Sequence, residues 1–462
     1  MFSDQAAISP GAPAIFFRGQ VVTYGELNAA AESLSLDLAR QGVGPGVILG
    51  ISLQRTPDLV AVLLATLKAG GAFLPLDGRT PPDRLRFMLA DSGCRLVLTD
   101  AASPALGDFD GSVLELRGGA LVRQTCGLAP EASAPADLAY LIHTSGSTGA
   151  PKGVMLGHGA THLIEWARSA YSPDDLSRVA ATTSLSFDPS ILEIFAPLST
   201  GGAIILKENT LEAFAPDERP TLMVSVPSVL TELCRAGAIP ASVKVLIAGG
   251  EPLKADLVRE VFRLRPELVL QNHYGPTEAT TVAAVANVPR ALAGEPSIGV
   301  PVRGATVVLL DDHGQAVGDG ETGEIHIGGP GLALGYLNRP ELTSRCFIQG
   351  PDGRVYRTGD LGFWRGGQLY FAGRRDQQVK IRGFRVELGE VESALLKVAD
   401  VEDALAVVRE RAGRPQIVAY IQSSRSLSPG DVHKAVATWL PDYMLPARMV
   451  ILSAFPRLVS GK

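Results

Sequence analysis

The chain has 462 residues, of which 46% are hydrophobic and 19% are charged, so it is long enough for a large core and more than one domain. Its 42 basic and 48 acidic side chains give a formal net charge of −6, without a long basic run. These properties argue against an intrinsically disordered chain and against a nucleic-acid partner.

The first part of the sequence shows no export or membrane signal. Residues 1–17 lack a basic segment leading into an apolar one. Residues 59–76 are strongly apolar but are interrupted by Lys68 and two glycines, which predicts a buried helix followed by a strand, with no membrane partner. Four cysteines lie far apart without a CxxC pair: Cys94, Cys126, Cys234 and Cys346. This spacing predicts reduced thiols and a cytoplasmic location.

Up to about residue 290, helical and extended patterns alternate. Residues 24–42 have helical spacing and end in glycine. Residues 243–249 and 267–272 are short apolar runs that stop at glycine or asparagine, as buried parallel strands do. The alternation predicts an α/β fold of layered sheets and helices.

The pattern changes after residue 300. Residues 305–388 contain strand patterns separated by turn residues, which predicts hairpins and a smaller sheet. From about residue 377 a small α+β domain is predicted. Its helix, strand and second helix are residues 389–398, 416–422 and 429–440.

Residues 143–153, HTSGSTGAPKG, are rich in glycine and hydroxyl side chains and follow an apolar strand pattern. Glycines let backbone N–H groups approach an anion, and Lys152 adds a positive charge. The motif is not Walker A, because Pro151 precedes the lysine and Gly153 follows it. From composition alone, a phosphate cradle and a flexible surface loop both stay open.

Three later stretches carry groups suited to a nucleotide. Residues 272–278, NHYGPTE, end a predicted strand, where α/β sheets bind ligands, and offer an aromatic ring, a hydroxyl and a carboxylate. In YRTGDL, residues 356–361, Asp360 lies in a predicted turn where it can accept two ribose hydroxyls. Residues 373–392 carry a dense set of Arg and Lys.

In this order, these stretches resemble the core motifs of the ANL superfamily of adenylate-forming enzymes. They most resemble the amino-acid-activating adenylation domains of nonribosomal peptide synthetases. The match covers nearly the whole chain, from VTYGELN and LKAGGAFLPLD to LPDYMLP and the final SGK. The resemblance implies a large N-terminal domain of layered sheets and helices, residues 1–375, and a small mobile α+β C-terminal domain, residues 376–462.

The resemblance also implies a two-step reaction. A substrate carboxylate attacks the α-phosphate of ATP and gives an aminoacyl-AMP and pyrophosphate. The phosphopantetheine thiol of a carrier protein then attacks the mixed anhydride and releases AMP. Mg²⁺ is the expected counterion of the phosphates.

By similarity, each motif residue has an expected role. Tyr274 would stack on adenine, and Thr277 would bond the α-phosphate. Glu278 would ligate or orient Mg²⁺. Asp360 would hold the ribose hydroxyls, and Arg374 would lie near ribose or phosphate. The loop residues expected to guide pyrophosphate are Thr144, Ser145, Gly146, Ser147, Thr148, Gly149 and Lys152.

The resemblance also gives roles to one residue that catalyses the first half-reaction and to one about which the small domain rotates before the second. Lys462 occupies the position of the catalytic lysine, which bridges the substrate carboxylate and the α-phosphate, although Ser460 replaces the usual Asn. The alternative is a frayed, solvated terminal lysine. Asp376 occupies the hinge position about which the small domain rotates.

Asp188 is the residue most informative about the substrate, because its counterpart in amino-acid-activating members pairs with the α-ammonium group. The alternative is that Asp188 caps a helix beginning at Pro189. The other pocket positions carried over are Pro189, Leu192, Val224, Leu246, Ala248, His273, Thr281 and Val282. They are mainly aliphatic, so we expect an apolar amino acid, with a proline-like imino acid first and a branched aliphatic one second. We do not expect His273 to bind a metal.

Two other functions are weighed against this one. An acyl- or aryl-CoA ligase would use the same first step, but Asp188 argues against it. A non-catalytic nucleotide-binding protein is disfavoured because the motif residues Lys152, Glu278, Asp360 and Lys462 are intact.

Overall fold

The computed structural model describes residues 1–101, 106, 108–146, 149–350, 353–376, 378–411 and 414–456. Within them the helices are α1 (Phe2–Ile8), α2 (Tyr24–Arg40), α3 (Pro57–Lys68), α4 (Pro82–Ser92), α5 (Thr161–Ala170), α6 (Pro189–Leu198), α7 (Pro227–Ala236), α8 (Ala255–Leu264), α9 (Pro340–Cys346), α10 (Leu388–Leu396) and α11 (Pro429–Val436).

The strands of the same residues are β1 (Pro13–Phe17), β2 (Gln20–Thr23), β3 (Ile48–Ser52), β4 (Ala72–Pro75), β5 (Leu96–Thr99), β6 (Ser112–Arg117), β7 (Ala120–Thr125), β8 (Leu138–Thr144), β9 (Lys152–Gly157), β10 (Arg178–Ala181), β11 (Ala203–Leu206), β12 (Leu222–Ser225), β13 (Val245–Gly249), β14 (Val269–Tyr274), β15 (Ala284–Asn287), β16 (Val300–Pro301), β17 (Thr306–Leu310), β18 (Gly323–Gly328), β19 (Gly335–Tyr336), β20 (Phe347–Gly350), β21 (Gly353–Arg365), β22 (Gln368–Arg374), β23 (Val379–Ile381), β24 (Phe384–Val386), β25 (Asp403–Arg411), β26 (Arg414–Gln422) and β27 (Arg448–Leu452).

The first large sheet has the order β16-β15-β14-β13-β12-β10-β11-β1-β2. Its central strands β12, β13 and β14 are parallel and almost entirely buried, as their continuous apolar runs predict. Because parallel strands end at the same edge, the loops after these three strands meet there.

The second large sheet has the order β19-β9-β8-β4-β3-β5-β6-β7. In it β8 and β9 pair antiparallel, with Thr144 opposite Lys152. The glycine- and hydroxyl-rich motif therefore spans the connection of a hairpin, and its two ends are fixed by the strands. The apolar residues 59–76 form α3 and β4, the predicted helix and strand. No helix of the described residues is both long and apolar enough to span a bilayer.

A five-stranded sheet, β17-β18-β21-β20 with β22 on β21, follows the two large sheets. The last part of the chain then forms its own apolar cluster around α10, β25, β26 and α11. The domain boundary expected at residues 375 and 376 falls between β22 and β23. The described residues show the predicted fold class, layered α/β sheets and helices followed by a smaller α+β region.

Candidate functional site

A cavity of about 280 Å³ lies at the edge of the first sheet, where β12, β13 and β14 end. The start of α6 forms one wall, and Val224, Val226 and Val282 contribute apolar surface. The hairpin of β23 and β24, from the last part of the chain, also lines the cavity. The cavity thus lies between the first sheet and the small α+β region.

Asp188 is only 5% exposed and lines this cavity at the first turn of α6. It occupies the N-cap position, yet its side chain makes no capping hydrogen bond, so capping does not explain the residue. Burial raises the pKa of Asp188 to about 6, although the hydroxyl groups of Thr277 and Thr281 oppose the rise. A buried carboxyl with this pKa favours a cationic partner.

The other predicted pocket residues divide into two groups. Those that line the cavity are Pro189, Leu192, Val224, His273, Thr281 and Val282. Leu246 and Ala248 do not line it, because they lie on the opposite face of β13, in an apolar cluster with α7 and α8.

Successive residues of a strand face opposite sides, so the cavity receives Ile247 and Gly249 of β13. The prediction that Leu246 and Ala248 line the substrate pocket is therefore wrong, and Ile247 and Gly249 take their place. Strand alternation requires that either Leu246 and Ala248 or Ile247 and Gly249 face the cavity. The packing of the sheet shows which pair does.

The His273 side chain is buried, and its Nε2 lies 3.0 Å from Oε1 of Gln271 and 3.2 Å from the hydroxyl of Tyr171. Burial lowers the pKa of His273 to about 3, so the imidazole is neutral near pH 7. Among the described residues, no cluster of three or more His, Cys, Asp or Glu side chains could hold a metal. His273 therefore contributes a neutral, hydrogen-bonded imidazole to the cavity lining.

Tyr274, Asp360 and Arg374 form a connected polar group beside the cavity. The hydroxyl of Tyr274 donates a hydrogen bond of 2.7 Å to Oδ2 of Asp360. Arg374 forms ion pairs with Asp360 and, at 2.7 Å, with Oδ1 of Asp376. Arg374 thus connects the expected ribose-binding residue to the expected hinge residue.

Glu278 is fully buried and lies at the centre of a charged network. Nη1 of Arg385 is 2.9 Å and 3.0 Å from the two carboxylate oxygens, and Nζ of Lys152 is 3.4 Å from Oε1. The Tyr336 hydroxyl donates a 2.7 Å hydrogen bond to Oε1. Burial alone would raise the pKa of Glu278, but Arg385 and Lys152 hold it well below its ordinary value. Glu278 is therefore ionised.

The motif of residues 143–153 lies against the last part of the chain. The Ser145 hydroxyl donates to the carbonyl oxygen of Arg385 at 2.7 Å, and the Gly146 N–H donates to Oε2 of Glu390 at 3.2 Å. Gly149 has a φ of 85° and lies beside Ser393. The expected loop residues Ser147 and Thr148, and the expected catalytic Lys462, lie outside the described residues.

Arg385, Glu390 and Tyr336 contact predicted site residues, and the sequence interpretation did not single them out. Arg385 and Glu390 lie within the noted Arg- and Lys-rich stretch, so composition indicated their region but not their partners. Tyr336 reaches Glu278 from β19, 58 residues later in the chain. No local pattern predicts such a contact.

Three comparisons with known proteins indicate the same family. Residues 2–337 match the family model described as AMP-binding enzyme. The chain is 40% identical to one subunit of the linear gramicidin synthase of Brevibacillus parabrevis, over 100% of this chain and 9% of that protein. It is 37% identical to surfactin synthase subunit 2 of Bacillus subtilis, over 100% of this chain and 13% of that protein. The chain thus spans only a small part of these synthases.

Solved structures with a similar fold indicate the same family. IdnL1 has a TM-score of 0.85 at 29% identity, covering 98% of both chains. Holo-PA1221, described as an NRPS protein containing adenylation and PCP domains, has a TM-score of 0.85 at 30% identity, covering 100% of this chain and 82% of its own. The chain belongs to the AMP-binding enzyme family, and the resemblance to adenylate-forming enzymes of nonribosomal peptide synthesis is confirmed.

Proposed function

We propose that this enzyme activates an apolar amino acid with ATP to an aminoacyl-AMP and then transfers the aminoacyl group to the phosphopantetheine thiol of a carrier protein. The observation that carries the proposal is the buried carboxyl of Asp188, whose pKa is raised by burial and which lines the cavity together with several apolar side chains. An α-ammonium group would supply a positive charge there. A substrate without the amine would leave a buried carboxylate unpaired, which is costly.

The first step brings a carboxylate against a polyanion, so the site must supply positive charge and orientation. Lys152 lies at the end of the motif loop, and Thr277 lines the cavity next to Glu278. Mg²⁺ would enter with ATP, and Glu278 offers the oxygen ligands that it prefers. In the described arrangement Nη1 of Arg385 contacts both of those oxygens, so the metal would share Glu278 with this cation or compete with it. We place the bridging cation at Lys462.

The apolar side chains that line the cavity support an apolar amino acid as the substrate. Val224, Ile247 and Val282 line the cavity, together with the neutral His273. None of these groups compensates a charged substrate side chain. A proline-like imino acid is our first candidate, and a branched aliphatic amino acid is the second.

The carrier-protein step rests on the relatives. Holo-PA1221 is described as containing adenylation and PCP domains, and a second neighbour is described as an artificially fused adenylation-PCP di-domain. An equivalent carrier partner, and a cytoplasmic location, are parts of the proposal for this chain.

The decisive experiment is ATP–pyrophosphate exchange measured across amino acids and simple carboxylic acids. We expect exchange with an apolar amino or imino acid and none with benzoate or fatty acids. Exchange with those acids alone would favour the acyl- or aryl-CoA ligase. ATP binding without exchange for any acid would favour a non-catalytic protein.

The raised pKa of Asp188 predicts how substrate affinity depends on pH. Below pH 6 the carboxyl is protonated and cannot pair with the α-ammonium group, whereas above pH 6 it is ionised. In exchange assays we expect the amino-acid KM to rise about tenfold for each pH unit below 6. The Asp188→Asn variant should lack this inflection. A wild-type KM that stays flat from about pH 5 to pH 8 would contradict the assigned role.

The proposed hinge predicts a selective defect. Replacing Asp376 by proline should block rotation of the small domain, because proline fixes φ. We expect Asp376→Pro to retain pyrophosphate exchange within about a few-fold and to lose thioester formation by more than about tenfold. Asp376→Ala, which also breaks the ion pair with Arg374, is the matched control and should retain both. Equal loss of both activities in the proline variant would rule out the hinge.

A further inference from the structure

His273 belongs to a chain of four hydrogen-bonded side chains, and of these four it is the one that lines the cavity. Its Nε2 lies 3.0 Å from Oε1 of Gln271 and 3.2 Å from the hydroxyl of Tyr171. The Tyr171 hydroxyl donates to the same Oε1 at 2.7 Å, and Nε2 of Gln271 donates to Oδ1 of Asn287 at 2.9 Å. Gln271 thus presents its amide oxygen to His273 and its amide nitrogen to β15.

This arrangement determines which ring nitrogen of His273 carries the proton. Because Tyr171 donates its hydroxyl proton to Gln271, its oxygen and the amide oxygen both face Nε2 as acceptors. Nε2 is therefore the N–H donor. Burial lowers the pKa of His273 to about 3, so the imidazole holds a single proton near pH 7. Its Nδ1 is then left with a lone pair and is a hydrogen-bond acceptor.

The surroundings of the imidazole leave Nδ1 for a ligand. Among the hydrogen bonds of the described residues, none involves Nδ1 of His273. The residue in register with His273 on β13 is Gly249, so this position places no side chain beside the imidazole. Trp166 packs edge-to-face on the ring, with centroids 5.7 Å apart, and limits its rotation. The cavity therefore contains a fixed, neutral acceptor among apolar side chains.

We propose that Tyr171 and Gln271 are positioning residues that hold His273 as the Nε2-protonated tautomer, so that Nδ1 accepts a hydrogen bond from an O–H or N–H group on the substrate side chain. The inference rests on the proposed function and narrows it. The substrate is an uncharged amino or imino acid whose otherwise aliphatic side chain carries one hydrogen-bond donor. Within the two candidate classes, this selects a hydroxylated imino acid first and a hydroxylated branched amino acid second.

A buried acceptor selects a donor because leaving the acceptor unpaired costs free energy. A purely aliphatic side chain would displace water from Nδ1 without replacing its hydrogen bond. A cavity built to bond a hydroxyl therefore rejects the analogue that lacks the hydroxyl, whereas a wholly apolar cavity discriminates weakly between two side chains of the same shape. The effect depends on the tautomer, because a protonated Nδ1 would repel the same donor.

Amino acids that differ by one hydroxyl test the inference in the pyrophosphate exchange assay. Threonine and valine have nearly the same shape, and hydroxyproline adds one hydroxyl to proline. We expect the best substrate to carry a side-chain donor, and its kcat/KM to exceed that of the counterpart without the donor by about ten- to a hundredfold. A best substrate without a side-chain donor would overturn the inference.

Two variants separate recognition from packing. His273→Leu removes the acceptor, so the ratio of kcat/KM between the two members of a pair should fall to about one. Tyr171→Phe removes one acceptor of the Nε2 proton and should lower this ratio about three- to tenfold, whereas a merely structural role would lower kcat/KM for both members equally. Tyr370→Phe is the matched control, because Tyr370 stacks on Phe363 in the five-stranded sheet, and its ratio should not change. A ratio that stays unchanged in both test variants would contradict the inference.

Magnetic resonance of the full chain, labelled with ¹⁵N at histidine, reads the tautomer without any substrate. Protonated and bare ring nitrogens have well separated shifts, and the signal lost in His273→Leu identifies His273. We expect a protonated Nε2 and a bare Nδ1 in the wild type, and a mixture of tautomers in Tyr171→Phe. A protonated Nδ1 in the wild type would remove this inference alone, even if no variant folds. If no amino acid supports pyrophosphate exchange, the proposed function fails instead, so the two failures are distinguishable.

Discussion

Replacing Asp188 by asparagine is expected to lower kcat/KM for the amino acid by about 10²–10³-fold. The α-ammonium group would then lose its counter-charge, and the apolar neighbours Pro189 and Leu192 on α6 cannot replace it. ATP–pyrophosphate exchange measures the effect. Asp174→Asn, which alters a surface ion pair with Lys244, is the control and should change little.

The same variant should fold more stably than the wild type. The folded-state pKa of Asp188, about 6, lies above its ordinary value of 3.8, so ionising the buried carboxyl costs stability as the pH rises above about 4. The cost is fully present above pH 6 and absent at low pH. We therefore expect Asp188→Asn to raise the free energy of unfolding by about 2–3 kcal/mol at pH 7.5 in urea titrations.

A combination of lower activity and higher stability is diagnostic, because it indicates a residue kept for binding at the expense of folding. Loss of stability in Asp188→Asn would show that the carboxylate has a structural partner. Retained activity would show that the amine is recognised elsewhere.

Replacing Glu278 by glutamine is expected to have the second large effect. The buried cations Arg385 and Lys152 would lose their shared counter-charge, which costs about 3–5 kcal/mol of stability. Magnesium would lose its protein ligand, so we expect pyrophosphate exchange to fall by roughly 10²–10³-fold. Urea unfolding and exchange assays measure the two effects separately.

Tyr336→Phe is the matched control for Glu278→Gln. It removes the 2.7 Å hydrogen bond to Glu278 but leaves every charge in place. We expect it to cost about 1 kcal/mol of stability and to lower exchange by no more than about tenfold. An equal loss in the two variants would show that hydrogen bonding, and not charge, dominates this network.

Residue order and spacing were sufficient to predict the family, the fold class and most of the polar groups near the cavity. Asp188, Thr277 and Glu278 lie in compact motifs whose residue order and spacing are local properties of the chain. The apolar runs that became β13 and β14 were also visible, because buried parallel strands need such runs.

Which face of β13 meets the cavity became clear from the packing of the sheet, which turns Ile247 and Gly249 toward the cavity and Leu246 and Ala248 away from it. Both faces of this strand are apolar and buried, so hydrophobicity could not distinguish them. The structure alone also joined Arg385 to Glu278 and Glu390 to Gly146. These contacts depend on how separate parts of the chain pack together, and a local pattern of residues carries no information about a partner more than a hundred positions away.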